Sequence, residues 1–173
     1  MAKTLIAYFS RADENYFGGD LRYVEVGNTE IVVDKMSKMI DADVFKIEMK
    51  IPYSKDYNKC IDEAKKDLKS GKRPEILPFP YDMNDYDTIV LGYPNYWGTM
   101  PMAVFTFLEQ FDLSGKRILP FCTNEGSGMG RSERDLKEIC PNSKISKGLP
   151  LNGSTVRSCG PEVERWLKEQ SLL

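Results

Sequence analysis

Apolar runs alternate with amphipathic stretches along this chain, the arrangement expected of βα units laid on a parallel sheet. Leu5 to Phe9 reads as a first buried strand. Beyond Thr29, the residues Ile31, Val32, Met36, Met39 and Ile40 recur at helical spacing, with Asn28 or Thr29 available as the N-cap. Val44, Phe45, Ile47 and Met49 predict the next strand. Tyr57, Cys60, Ile61, Ala64 and Leu68 then form a helical stripe that Gly71 should stop. After a Pro-rich connection from Pro74 to Pro80, Thr88 to Tyr93 is strongly apolar and predicts a central strand. Val104, Phe107, Leu108 and Phe111 mark a helix ending before Ser114. Arg117 to Cys122 follows as a strand, although Pro120 argues against a purely central place for it. Ser132 to Ile139 reads as helical, Lys144 to Leu151 as a more polar fifth strand at an edge, and Pro161 opens a closing helix with Val163, Trp166 and Leu167. Five strands and five helices predict one α/β domain over residues 1–173, a doubly wound five-stranded parallel sheet with helices on both faces.

Composition narrows the function more than the fold. A length of 173 residues suits one domain with a real core, and 41% hydrophobic with 29% charged residues is ordinary for a globular protein. The formal net charge is −2, and Lys and Arg form no basic stripe, so neither nucleic acid nor a membrane is expected as a partner. The apolar segment Leu5 to Phe9 is too short for a signal peptide core or a spanning helix, which makes the cytoplasm the expected location. The chain has no histidine, which removes Ser-His-Asp and Cys-His hydrolases and disfavours a zinc site. Cys60, Cys122, Cys140 and Cys159 form no CxxC pair and read as reduced structural thiols. No metal ligands and no acid–base catalytic residues are expected.

In open α/β sheets, ligands bind beyond the carboxyl ends of the strands where strand order reverses, which singles out three loops. The first opens with Ser10 and closes with Gly27-Asn28-Thr29-Glu30 at a helix start, where free N–H groups and the helix dipole suit a phosphate; plain helix capping is the other reading. The second, Pro94 to Pro101, holds the adjacent aromatics Tyr96 and Trp97 between two prolines. Turns favour small polar residues, so these rings suit a planar ligand unless they fold back onto the core. The third, Thr123 to Gly130, is rich in glycine and permits close backbone approach to a ligand. It is neither a GxGxxG fingerprint nor a Walker A loop.

With these residues in view, the chain resembles the flavodoxin-like family. Ala7-Tyr8-Phe9-Ser10-Arg11, continued by Gly27-Asn28-Thr29-Glu30, is similar to the family's phosphate loop split by an insertion. Gly92 to Pro101 resembles its second flavin loop, and Pro120 to Gly128 its third. The resemblance implies strand order 2-1-3-4-5 and FMN as cofactor. It implies that Ser10, Asn28, Thr29 and the Glu30 amide hold the FMN phosphate, with Arg11 beside them. Pro94, Asn95, Tyr96, Trp97 and Gly98 would meet the isoalloxazine, Tyr96 or Trp97 stacking on it, and Thr123, Asn124, Glu125, Gly126, Ser127 and Gly128 would close over its other edge.

Two departures from the family pattern matter. Arg11 to Val26 interrupts the phosphate loop; its ends should still meet, because each doubling of loop length costs only about 0.6 kcal/mol. Its Tyr16 and Phe17 would then cover the flavin or a substrate, or pack on a neighbouring loop or subunit. A charge of −2 is also mild beside the acidic electron-shuttling members, which tilts the expectation from carrier toward reductase. The expected function is an FMN-binding redox protein, either an electron carrier or an NAD(P)H-dependent reductase of a quinone-like acceptor. Its partner would be a redox protein or a small molecule, with NAD(P)H as candidate donor, and monomer and homodimer both stay open. The alternative is a degenerate flavodoxin-like binding module that no longer holds FMN.

Overall fold

The computed structural model describes residues 3–173. In chain order its elements are β1 (Lys3–Tyr8), β2 (Asp13–Phe17), β3 (Asp20–Val24), α1 (Asn28–Ser37), β4 (Asp43–Lys46), α2 (Tyr57–Ser70) and β5 (Tyr86–Pro94). They continue with α3 (Met102–Glu109), β6 (Arg117–Asn124), α4 (Ser132–Ile139), β7 (Lys144–Ile145), β8 (Leu149–Asn152) and α5 (Gly160–Glu169). The main sheet runs β4-β1-β5-β6, with β7 and β8 sharing the far side of β6, and every pairing in it is parallel. Counted within this sheet, that is the 2-1-3-4-5 order, with the fifth position split in two.

Side-chain alternation along the strands builds a core on each face. Leu5, Ala7, Ile89, Leu91, Ile118 and Cys122 point to one side, where α3 and α4 cover them through Phe107, Leu108 and Leu136. Ile6, Tyr8, Val90, Leu119 and Phe121 point to the other, under Val32, Val33 and Met36 of α1 and Val163, Trp166 and Leu167 of α5. Fully burying one such side chain stabilises the fold by about 1.5–3 kcal/mol. Near-continuous burial from Thr88 to Tyr93 follows from this two-sided cover. The stripe from Tyr57 forms α2 as expected. Asp56 caps its start by accepting from the Lys59 N–H at 2.9 Å, and Gly71 ends it at φ +66°.

The structure departs from the sequence reading in three places. Pro120 lies in an inner strand, paired with Leu91 of β5. Its missing N–H is tolerated because β7 ends opposite Ile118 and β8 begins opposite Phe121, so the fifth strand is interrupted where Pro120 has no donor to offer. Asn28 and Thr29 do not cap α1; its N-cap is Gly27, which makes no side-chain cap bond. The inserted segment is a two-stranded antiparallel hairpin, β2 with β3, turning at Gly18 and Gly19, both with positive φ.

Candidate functional site

The ends of the insertion meet at Gly27. A Cβ there would overlap the Arg11 carbonyl oxygen and the Ser10 hydroxyl, so only glycine lets the two arms of the split loop touch. The Ser10 hydroxyl accepts the Glu30 N–H at 3.1 Å. That bond commits both groups internally, and neither residue lines the cleft described below. The Glu30 carboxylate instead accepts from the Tyr8 hydroxyl at 2.9 Å and pairs with Lys46 at 3.0 Å. Partial burial pushes its carboxyl up, but the bonds from Lys46 and Tyr8 outweigh this and hold it below its ordinary value.

Gly27 at the N-cap offers no side chain and Ser10 takes only the Glu30 N–H, so the N–H groups of Asn28 and Thr29 find no acceptor among the described residues. Thr29 is buried, and its hydroxyl lies 2.9 Å from that of Thr123 at the end of β6. When one hydroxyl of such a pair donates to the other, the second keeps a proton for a further acceptor. With the Asn28 amide, these groups form a donor-rich pocket at the positive end of a ten-residue helix.

The pocket opens into a cleft of about 380 Å³ beyond the carboxyl ends of the strands. Pro94 to Gly98 form one wall and Thr123, Asn124, Glu125 and Ser127 another. The two loops are tied together: the Asn95 N–H donates to Thr123 O, the Asn95 side chain to Gly128 O at 3.0 Å, and the Arg131 N–H to Gly98 O at 2.7 Å. Gly126 and Gly128 do not line the cleft; at φ +111° and +63° they shape the loop that does.

The adjacent aromatics separate. Tyr96 turns inward, edge-on to Phe9 with ring centroids 5.8 Å apart, and its hydroxyl is buried beside the Cys60 thiol with no hydrogen-bond partner among the described residues. Burial pushes both groups up, so both are neutral near pH 7. Trp97 turns outward and stays 43% exposed at the cleft edge. Its φ of +55° is a conformation that costs an L-residue roughly 1–2 kcal/mol. The indole N–H donating to Ile61 O at 2.8 Å, Arg131 reaching Trp97 O and Lys65 over the ring hold it there. Strain maintained by that many contacts points to a working position.

Tyr57, Cys60, Ile61 and Ala64 of α2, and Gly153 after β8, line the cleft although the sequence reading did not point to them. The α2 stripe looked like ordinary core, and only the packed structure shows its first turns facing the cleft. Arg11 lines the cleft as well, but each of its three guanidinium nitrogens donates to a backbone carbonyl, those of Glu14, Ser54 and Lys55. Tyr16 of the hairpin reaches the cleft, whereas Phe17 packs away from it beneath Arg22. The arrangement offers a dianion seat at one end and a flat, mostly apolar slot beside it.

A family model described as Flavodoxin matches residues 20–170. Among solved structures, a candidate flavoprotein from Bacteroides eggerthii is 26% identical over 100% of both chains, with a TM-score of 0.78. A flavoprotein in complex with FMN from Lactobacillus acidophilus shares 22% identity over 96% of this chain and 99% of its own, with a TM-score of 0.68. A Fusobacterium nucleatum flavodoxin bound to flavin mononucleotide shares the fold at 15% identity and a TM-score of 0.57, over 99% of this chain and 98% of its own. No curated protein sequence matches this chain.

Proposed function

This chain belongs to the flavodoxin family, and we propose that it binds FMN in the strand-end cleft and serves as a redox protein. The observation that carries this reading is the unspent donor set at the start of α1: two free N–H groups, the Asn28 amide and the Thr29–Thr123 hydroxyl pair, opening onto a slot edged by Trp97. These groups fit the phosphate in chemistry and number, and the FMN complexes of two structural neighbours support the same ligand. When bound, the flavin supplies the electron or hydride chemistry, and the protein supplies binding, orientation and electrostatics.

Residue roles follow. The N–H groups of Asn28 and Thr29 hold the phosphate with help from the helix dipole. Pro94 to Gly98 present backbone groups and the Trp97 ring to the isoalloxazine. Asn124, Glu125 and Ser127 bound the other side, where the Glu125 carboxylate is held by the Ser154 hydroxyl at 2.9 Å. Ser10, Glu30, Gly126 and Gly128 act one step removed, by fixing the loops. No helix among the described residues is long and apolar enough to cross a membrane, which is compatible with a cytoplasmic protein.

The test is to titrate the purified chain with FMN and follow flavin fluorescence and the visible bands. Quenching with one equivalent bound supports the reading; a protein that stays colourless in excess FMN overturns it and favours the degenerate binding module. With FMN bound, a neutral semiquinone accumulating during reduction marks a one-electron carrier. Rapid NADPH oxidation in the presence of a quinone marks a reductase.

A further inference from the structure

The inserted hairpin is docked on the rest of the protein through one strand only. Glu14 of β2 accepts the N–H of Tyr57 at 2.9 Å, Arg11 just before β2 clamps the backbone of Ser54 and Lys55, and the Asn15 side chain donates to Arg11 O at 2.8 Å. Among the described residues, no group outside β2 hydrogen-bonds to β3. That strand is the free edge of a two-stranded sheet, and four of its five residues are exposed. The Gly18-Gly19 turn makes Phe17 and Asp20 a hydrogen-bonded pair; by alternation Asn15 and Arg22 are bonded and Tyr16 and Leu21 are not. Leu21 and Tyr23 therefore direct their N–H and C=O groups outward. They also leave apolar side chains on that edge, 45% and 69% exposed. Sheet edges are ordinarily blunted by Pro, Lys or a bulge, and β3 has none of these.

We propose that β3 pairs antiparallel with β3 of a second copy of this chain, about a two-fold axis at Leu21, joining two hairpins into one four-stranded sheet. The charges select this partner and this register. Centred on Leu21, the pairing sets Asp20 opposite Arg22 of the second copy, and the symmetry repeats that pair on the other side of the axis. Within one chain these two side chains are largely exposed and approach only to 3.8 Å. Leu21 exchanges both of its outward backbone bonds with its counterpart, and Leu21 and Tyr23 of both copies gather on the opposite face from the ion pairs. An axis at Arg22 would oppose two arginines. An axis at Tyr23 would set Leu21 against Glu25 and leave Asp20 and Arg22 facing valines. Only the register at Leu21 uses the alternating signs, so the strand is complementary in charge to itself. An edge this short makes a small interface, below about 1,200 Å² in total, so the dimer should depend on concentration.

The test is sedimentation velocity on the full chain from about 1 μM to about 1 mM, the span of weak association. It compares the native protein, Asp20→Arg, Arg22→Asp, the variant carrying both changes, and an equal mixture of the two single variants. The native chain should pass from monomer to dimer within this range. Each single reversal should weaken the dimer at least about tenfold, because both pairs across the axis turn repulsive together. The double variant and the mixture should restore it, since each again sets opposite signs across the axis. Amide exchange at Leu21 and Tyr23 should slow as the native protein is concentrated, which tests the pairing without any substitution. A native chain still monomeric at the highest concentration, exchange at Leu21 independent of concentration, a dimer indifferent to both reversals, or one that the double variant fails to restore would each overturn the inference. No β3 residue lines the cleft, so FMN uptake is a separate question from this one.

Discussion

Replacing Gly27 by alanine should break the site where the split loop is joined. Gly27 has φ −70° and ψ 161°, an ordinary extended conformation, so alanine meets no backbone penalty there. The cost is steric: the new Cβ would overlap the Arg11 carbonyl oxygen and the Ser10 hydroxyl. Rotating Ser10 away gives up its bond from the Glu30 N–H, worth about 0.5–1.5 kcal/mol. Moving the Arg11 backbone pulls on the guanidinium clamp that docks the hairpin, and overpacking of this kind costs about 1–3 kcal/mol. Together these predict a loss of about 1.5–4.5 kcal/mol, read as a lower urea midpoint at unchanged slope. The free N–H groups of Asn28 and Thr29 shift with the junction, so FMN affinity should also fall at least about tenfold, the worth of one charge-assisted hydrogen bond. Gly160→Ala is the control, because a Cβ there meets nothing within 4 Å and the change should stay within about 0.5 kcal/mol. A Gly27→Ala protein with native midpoint and native FMN affinity would refute the close junction and the role given to it.

Tyr96→Phe removes a buried hydroxyl that has no partner among the described residues, so stability should be unchanged or higher by about 1 kcal/mol; a clear loss would reveal a bond to that oxygen. Glu30→Gln should alter the pH dependence of stability. The folded protein holds this carboxyl below its ordinary value of 4.5, so its contribution is present above that pH and lost as pH falls through the folded value. The gap between native and Glu30→Gln proteins in urea melts should therefore narrow from pH 6 to pH 3; a constant gap would contradict the Lys46 and Tyr8 pairing. Trp97→Ala should weaken FMN by roughly 1–3 kcal/mol, by analogy with base–aromatic stacking, whereas unchanged affinity in a fluorescence titration would remove the platform.

Much of the fold was legible because its strands are buried on both faces and its helices carry one apolar stripe. Thr88 to Tyr93 and the Tyr57 stripe needed no tertiary information. The hairpin was missed although Gly18-Gly19 between two short runs, with Tyr16 and Leu21 on either side, carries a two-residue turn signal; reading the segment as an insertion in a loop obscured it. The split fifth strand was hidden because its cause sits on the neighbouring strand, at Pro120. In the cleft, the sequence put both aromatics in one strand-end loop, which does line the cleft, but had no means of deciding that Tyr96 turns in and Trp97 out. That choice depends on Phe9 and Ile61, which are brought near only by folding. The wall from α2 was unreadable for the same reason, since Ile61 and Ala64 fit a core stripe equally well.

The central claim concerns where the phosphate sits, and backbone NMR reaches it directly. ¹⁵N-labelled protein titrated with FMN should show large shifts of the Asn28 and Thr29 amides, while riboflavin, which has the same ring and no phosphate, should leave those two nearly unmoved and still perturb Trp97. Identical responses to both ligands, or none at Asn28 and Thr29 with FMN saturating, would contradict a dianion seat at the start of α1.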